Sequence, residues 1–227
     1  MSGFAGFPKQ TLTFLRGLSK NNDKTWFDGH RQDYERYWVE PAKDFVVAAG
    51  EALVKVAPDV RAEPKVNGSI FRINRDVRFS QDKRPYKDHL DFWFWEGERK
   101  KAVSGFFMRI TPKTLGVGVG AHGFDKDRLA TYRKAVVDPT AGPALAKTVS
   151  AVERKGYDVK GEHYKKLPRG FTADNASQGR LLRYSALWIG EDQKPPAELH
   201  TPAIVKIVTA EWRKMAPLHR WLVDTLQ

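Results

Sequence analysis

Three aromatic-rich apolar segments sit close together in the middle of this chain, and the spacers between them permit only one kind of sheet. Residues 90–96, 103–111 and 114–121 are separated by a charged Gly-Glu-Arg-Lys-Lys turn and by Pro112-Lys113. Parallel neighbours need a crossover of a dozen or more residues, so connections this short join antiparallel strands. The segment therefore predicts a three-stranded meander.

The flanks have helical periodicity. Pro8 stands where a helix begins, and Leu12, Leu15 and Leu18 follow at three-residue intervals. Asn21, Asn22 and Asp23 offer cap side chains for a second helix through Trp26, Phe27, His30, Tyr34 and Tyr37. Pro41 kinks or restarts it, and Phe45, Ala49, Leu53 and Val56 carry the apolar face onward. Beyond the meander, residues 125–137 and 144–155 predict helices, the second after a break from Pro139 to Pro143. Residues 157–175 read as polar loop and 185–190 as a further strand. Ile204, Ile207, Val208, Met215, Leu218, Trp221 and Leu222 mark a closing helix containing Pro217. The expected fold is α+β, an antiparallel sheet meander flanked by N-terminal and C-terminal helices, with residues 1–227 as a single domain.

Composition narrows the chemistry. The chain has no cysteine, which excludes disulfides, thiolate nucleophiles and cysteine-held metals. Its six histidines (30, 89, 122, 163, 200 and 219) are scattered without short ligand spacing, so neither a metal nor any other cofactor is expected. The N-terminal residues lack a basic, apolar leader pattern and no stretch is long and apolar enough for a bilayer. The expectation is a soluble, cytoplasmic protein without a membrane partner. A formal charge of +12 favours anionic partners.

That charge is densest from Arg72 to His89, where six Lys or Arg face three Asp. If residues 71–79 are extended, Phe71, Ile73, Val77 and Phe79 share one face, and Arg72, Asn74, Asp76 and Arg78 the other. Asn74-Arg75-Asp76 favours a bend, and Pro85 keeps the residues before it out of a helix. Arginine forks, a lysine point charge and a tyrosine ring then suit the recognition of oxyanions. The candidate ligand residues are Arg72, Arg75, Asp76, Arg78, Lys83 and Tyr86, with Lys87 and His89 at the edge. His89 is the natural proton carrier of the set, and Asp76, tight among arginines, is expected to stay ionised.

At these residues the chain resembles a bacterial family known only as domain of unknown function 2461. The pattern is Arg-x-x-Arg-Asp-x-Arg-Phe followed by an acid or amide, Lys and Tyr, matched here by Arg72, Arg75, Asp76, Arg78, Phe79, Asp82, Lys83 and Tyr86. The likeness extends to Asn22, Trp26-Phe27, His30-Arg31 and Tyr34, to Leu167-Pro-x-Gly-Phe171 and to Pro217-Leu218. It implies one domain of about this length and points to the signature loop, with no activity or catalytic residue to carry across.

The expected function is a basic pocket for a small phosphate- or carboxylate-bearing ligand. Group transfer or hydrolysis is the chemistry such cations would assist. One alternative is a nucleic-acid-binding module using Lys165, Lys166, Arg180, Arg183 and exposed aromatics. Another is an internal Arg/Asp network with no ligand. Gly118-Val-Gly120-Ala-His122-Gly123 spells a dinucleotide motif, but hairpin connections precede it, and a glycine-lined strand face is the better reading. Such a face would floor a cavity beneath the basic loop or take a helix packed on it. No oligomeric state follows from the sequence.

Overall fold

A computed structural model describes residues 3–227. Its strands are β1 (Val60–Arg61), β2 (Leu90–Glu96), β3 (Gly105–Ile110), β4 (Leu115–Ala121), β5 (Val159–Glu162) and β6 (Tyr184–Gln193). They form one six-stranded antiparallel sheet in the order β1-β2-β3-β4-β6-β5, with the meander at its centre. Helices lie at both ends of the chain: α1 (Lys9–Lys20), α2 (Lys24–Gly29), α3 (Arg31–Tyr34) and α4 (Glu40–Leu53) before the sheet, and α8 (Ala203–Leu226) after it. Between β4 and β6 come α5 (Lys126–Val137), α6 (Ala141–Glu153) and α7 (Ala176–Leu181). The fold is α+β, as the pattern of short connections requires.

Local chemistry sets the element ends. Pro8, at φ −63°, leads into α1. The Asp23 carboxylate accepts the Trp26 N–H at 2.9 Å to start α2, and Asp125 does the same for α5 through Arg128 N–H. Helix α3 runs into α4 through a turn of π-helix at Glu35–Val39, with Pro41 tolerated in the first turn of α4. The same tolerance corrects one expectation. Helix α6 begins at Ala141, so Pro143 falls in its first turn and does not break it; the Asp138 carboxylate accepts the N–H groups of Thr140 and Ala141, both at 2.8 Å. In α8, Ile204, Val208, Trp212, Met215, Leu218 and Leu222 are fully buried, and Pro217 lies inside the continuous helix.

Backbone proximity divides the described residues into two units: 3–94, 107–117 and 192–210 form one, and 95–106, 118–191 and 211–227 the other. The first has an aromatic core in which the Phe45 ring packs 5.3 Å from Phe7 and 4.8 Å from Phe92. Phe7 N–H donates to the Leu199 carbonyl, 2.9 Å away, and His200 Nδ1 lies 2.7 Å from the Phe7 carbonyl. Gly6 permits this contact: at φ +105°, a Cβ there would stand 2.3 Å from Thr201 N.

The second unit encloses a polar cluster. The His219 ring, 1% exposed, has Nδ1 2.9 Å from Ser104 Oγ and packs 4.5 Å from the Phe106 ring. Its Nε2 stands 3.5 Å from Glu96 Oε1 without a hydrogen bond. Glu96 is itself buried and is held by Arg220 at 3.1 and 3.4 Å. Burial, aided by the Arg220 charge, pushes His219 down to about 3. In the same unit Gly120, at φ +129°, lets β4 approach β6 where a Cβ would meet the Leu187 carbonyl.

Candidate functional site

The basic segment is built on an extended pairing in the first unit. Ile70 bridges Phe92 and Asn74 bridges Tyr86, both antiparallel. Between them Phe71 N–H donates to Asp91 O and Lys87 N–H to Ile73 O. Residues 76–84 close this pairing as a loop. Tyr86 is anchored from the α1–α2 turn: the Asn22 amide donates to the Tyr86 carbonyl and accepts its N–H, each at 3.0 Å. The Tyr86 ring stacks on Phe27 at 4.2 Å. It is buried there, which raises its hydroxyl pKa, so Tyr86 is a packing residue on the α2 side. Asn22→Ala removes both hydrogen bonds and is expected to destabilise the protein by about 2 kcal/mol. Differential scanning calorimetry should record a melting temperature lower by roughly 4–8 °C.

Within the loop the charges close on one another. The Arg78 fork grips Asp76, with Nη2 2.6 Å and Nε 3.0 Å from its oxygens. Arg84 grips Asp82 in the same i, i+2 manner, at 2.8 and 3.0 Å. Arg75 reaches the same Asp82 at 3.0 Å and the Arg84 carbonyl at 2.8 Å. Lys83 Nζ donates to the Val77 carbonyl at 3.0 Å. The Arg78 hydrogen bond lowers the Asp76 carboxyl, and that of Arg84 lowers Asp82. Exposed pairs of this kind contribute little stability each. Their effect is to give a nine-residue loop one shape.

At its tip the structure departs from the strand pattern. Ile73 is buried at 3%, but Phe79 is 95% exposed with the Arg78 guanidinium 5.8 Å from its ring. The pairing with Pro85 and Tyr86 holds through Asn74 and Arg75, and the chain bends at Ile73 and at Arg78–Phe79 instead of at Asn74–Asp76; of the expected apolar face only Ile73 is buried, Phe71 and Phe79 being exposed.

Lys87, His89 and Asp91 follow at alternate positions leading into β2, while Leu90, Phe92 and Phe94 face the core. His89 lies between two acids, with Nδ1 3.3 Å from Asp88 Oδ1 and Nε2 3.3 Å from Asp91 Oδ2. A ring carrying both protons donates to both; the neutral ring donates to one. From β3, Arg109 closes a bidentate pair on Asp91 at 2.7 and 2.9 Å. Burial alone would raise the Asp91 carboxyl, but the hydrogen bonds from His89 and Arg109 outweigh it and hold Asp91 at about 2. Beside Arg109 on β4, Gly116 leaves room for Asp192: a Cβ there would stand 2.4 Å from its Oδ1 and 3.6 Å from the Arg109 Cβ. This part of the glycine face is filled by side chains of neighbouring strands.

Lys87 differs from every other cation of the segment. It is half-buried, and its Nζ rests 5.1 Å from the centre of the Phe71 ring, with no carboxylate in ion-pair contact among the described residues. Burial lowers its pKa, and the Arg109 and Arg72 charges lower it further against the pull of Asp91. Arg72 is exposed, and among the described residues no carboxylate pairs with it. The structure thus separates the eight candidate residues. Arg75, Asp76, Arg78 and Lys83 satisfy one another or the loop backbone, Tyr86 turns to α2, and Lys87, His89 and Arg72 remain on the side of Asp91 and Arg109. Asp91 and Arg109 escaped the sequence reading, although His89-Leu90-Asp91 and the lone charge in Phe106-Phe107-Met108-Arg109-Ile110 were visible signals.

Among the described residues no three His, Asp or Glu are placed to hold a metal ion, and no helix is long and apolar enough to cross a membrane. Fold and site define an α+β protein whose 76–84 loop pairs its own arginines and aspartates. Residues 10–221 match the model of a family described as conserved hypothetical protein, DUF2461, and the chain belongs to that family. No curated protein and no solved structure matches the chain.

Proposed function

We propose that this protein binds a small anion, phosphate- or carboxylate-bearing, at Lys87 and Arg72, next to the His89–Asp91–Arg109 network. The observation that carries the reading is the state of Lys87. A half-buried ammonium normally acquires a carboxylate in direct contact, whereas this one has an aromatic face, two like charges and, as the only nearby acid among the described residues, an Asp91 already committed to Arg109. An incoming oxyanion supplies the missing counter-charge, and Arg72 provides an exposed fork for it. His89, bracketed by two acids, is the proton-carrying group of the site. In this reading the 76–84 loop is scaffold, and its Arg/Asp pairs shape the chain that carries Lys87.

Inorganic phosphate serves as the first probe. At ten times its Kd it should raise the unfolding free energy of the wild-type protein by about 1.4 kcal/mol. Lys87→Met should abolish that response and yet melt at or above the wild-type temperature, because it removes an uncompensated charge while keeping the apolar stem. The sign of the pH dependence is opposite for the two properties. The folded pKa of Lys87 lies below its ordinary value of 10.5, so the unfolded chain binds more protons in that window and stability rises with pH. Anion affinity falls over the same window as the ammonium is lost. Equal phosphate responses from wild type and Lys87→Met would refute the assignment. Arg75→Ala with Lys83→Ala should loosen the loop and leave the phosphate response in place.

A further inference from the structure

A second basic site lies in the other unit, on a motif that the Lys87 site does not use. Leu167, Pro168 and Arg169, together with Tyr164, Lys165, Lys166 and Arg133 of α5, line an open cleft of about 510 Å³. That volume falls in the range of small-molecule sites. Four of the seven lining residues are cationic and none is acidic. Nearby Arg180 and Arg183 are paired with Glu153 and Glu162, each at 2.7 Å. The cleft cations have no such partner among the described residues. The Arg133 Nε is buried without a hydrogen bond, and its guanidinium lies 5.0 Å from the centre of the Tyr164 ring. Tyr164 and Leu167 are 38% and 41% exposed, an uncovered apolar surface beside the charges.

We propose that this cleft binds a nucleoside di- or triphosphate. Several uncompensated cations around one opening match a polyphosphate chain better than a single carboxylate. An exposed tyrosine ring and a leucine offer a platform for a planar base, a contact worth about 1–3 kcal/mol. The Leu167-Pro-Arg-Gly-Phe171 turn presents Arg169 at the same mouth. A longer single-stranded nucleic acid would need a continuing track of unpaired cations, and the pairing of Arg180 and Arg183 interrupts one.

Fluorescence anisotropy with dye-labelled ATP, competed by unlabelled ATP, adenosine and tripolyphosphate, tests the assignment. ATP should compete best, and adenosine alone should fail. Lys165→Ala with Lys166→Ala, both exposed positions, should weaken ATP by about tenfold or more, equivalent to about 1.4 kcal/mol. Tyr164→Ala should weaken ATP but leave tripolyphosphate unchanged. All titrations are made in the Lys87→Met background, so that phosphate binding in the first unit does not contribute to the signal. Absence of ATP binding at millimolar concentration, or an unaltered affinity in the double lysine variant with its circular dichroism intact, would overturn the proposal. Tripolyphosphate competing as well as ATP would overturn its nucleoside part, and tighter binding of oligothymidylate than of ATP would reassign the cleft to nucleic acid.

Discussion

Lowering the pH from 6.5 toward 3 is expected to remove on the order of 4 kcal/mol of stability through His219 alone. The sign follows from its environment. The folded ring is held neutral, with its pKa pushed down to about 3 from an ordinary 6.5. The unfolded chain therefore takes up a proton in that window and the folded chain does not. Stability is complete above 6.5 and is lost progressively as acid is added. Ser104 occupies Nδ1, Glu96 faces Nε2 but is already committed to Arg220, and the Arg220 charge opposes a second cation beside it. His219→Gln should be less stable than wild type at neutral pH, because the Ser104 contact is disturbed, and should be flatter with pH. Urea unfolding of both proteins at pH 7, 5 and 4 gives the comparison. Parallel loss of stability in the two proteins would show that His219 takes no part.

Asp91→Asn should lower stability at neutral pH by about 2 kcal/mol and remove acid dependence at the lower end of the titration. Asp91 is held at about 2 in the folded protein against an ordinary 3.8. Its contribution is therefore present above about 4 and lost as the pH falls toward 2. The carboxylate accepts both arms of Arg109 and faces His89, so the amide leaves one strong acceptor where both donor arms of Arg109 remain. A double-mutant cycle with Arg109→Gln apportions the effect, and a coupling near 1–2 kcal/mol is expected for a half-buried bidentate pair. Additive losses would mean that the two side chains do not stabilise each other.

The parts of the fold that the sequence reveals are those fixed by neighbours along the chain. The meander follows from the lengths of its connections, α1 and α5 from Pro8 and Asp125 at their starts, and α8 from the spacing of Ile204, Val208 and Met215. Strand β5 was hidden because only Val159 of Val159–Glu162 is buried, and its other residues spell a polar turn. β1 has two residues, too few for any period to appear. The charge density at 72–89 was plain, but its disposition was not. Which guanidinium meets which carboxylate depends on the 76–84 loop geometry, and the partner of Asp91 comes from β3. Nor does periodicity show that Phe79 leaves the protein surface while Ile73 enters it, because the alternation lapses where the antiparallel pairing gives way to the 76–84 loop.

The double hydrogen bond between Asn22 and Tyr86 joins positions 64 residues apart in the chain. Closing so long a stretch pays its entropy before the contact gives anything back. The α1–α2 turn and the segment that carries Tyr86 therefore become fixed relative to each other only once they dock, whatever local pairs have already formed. The segment with the densest charge thus takes its place in the fold from an uncharged contact, while its Arg/Asp pairs act only within the loop.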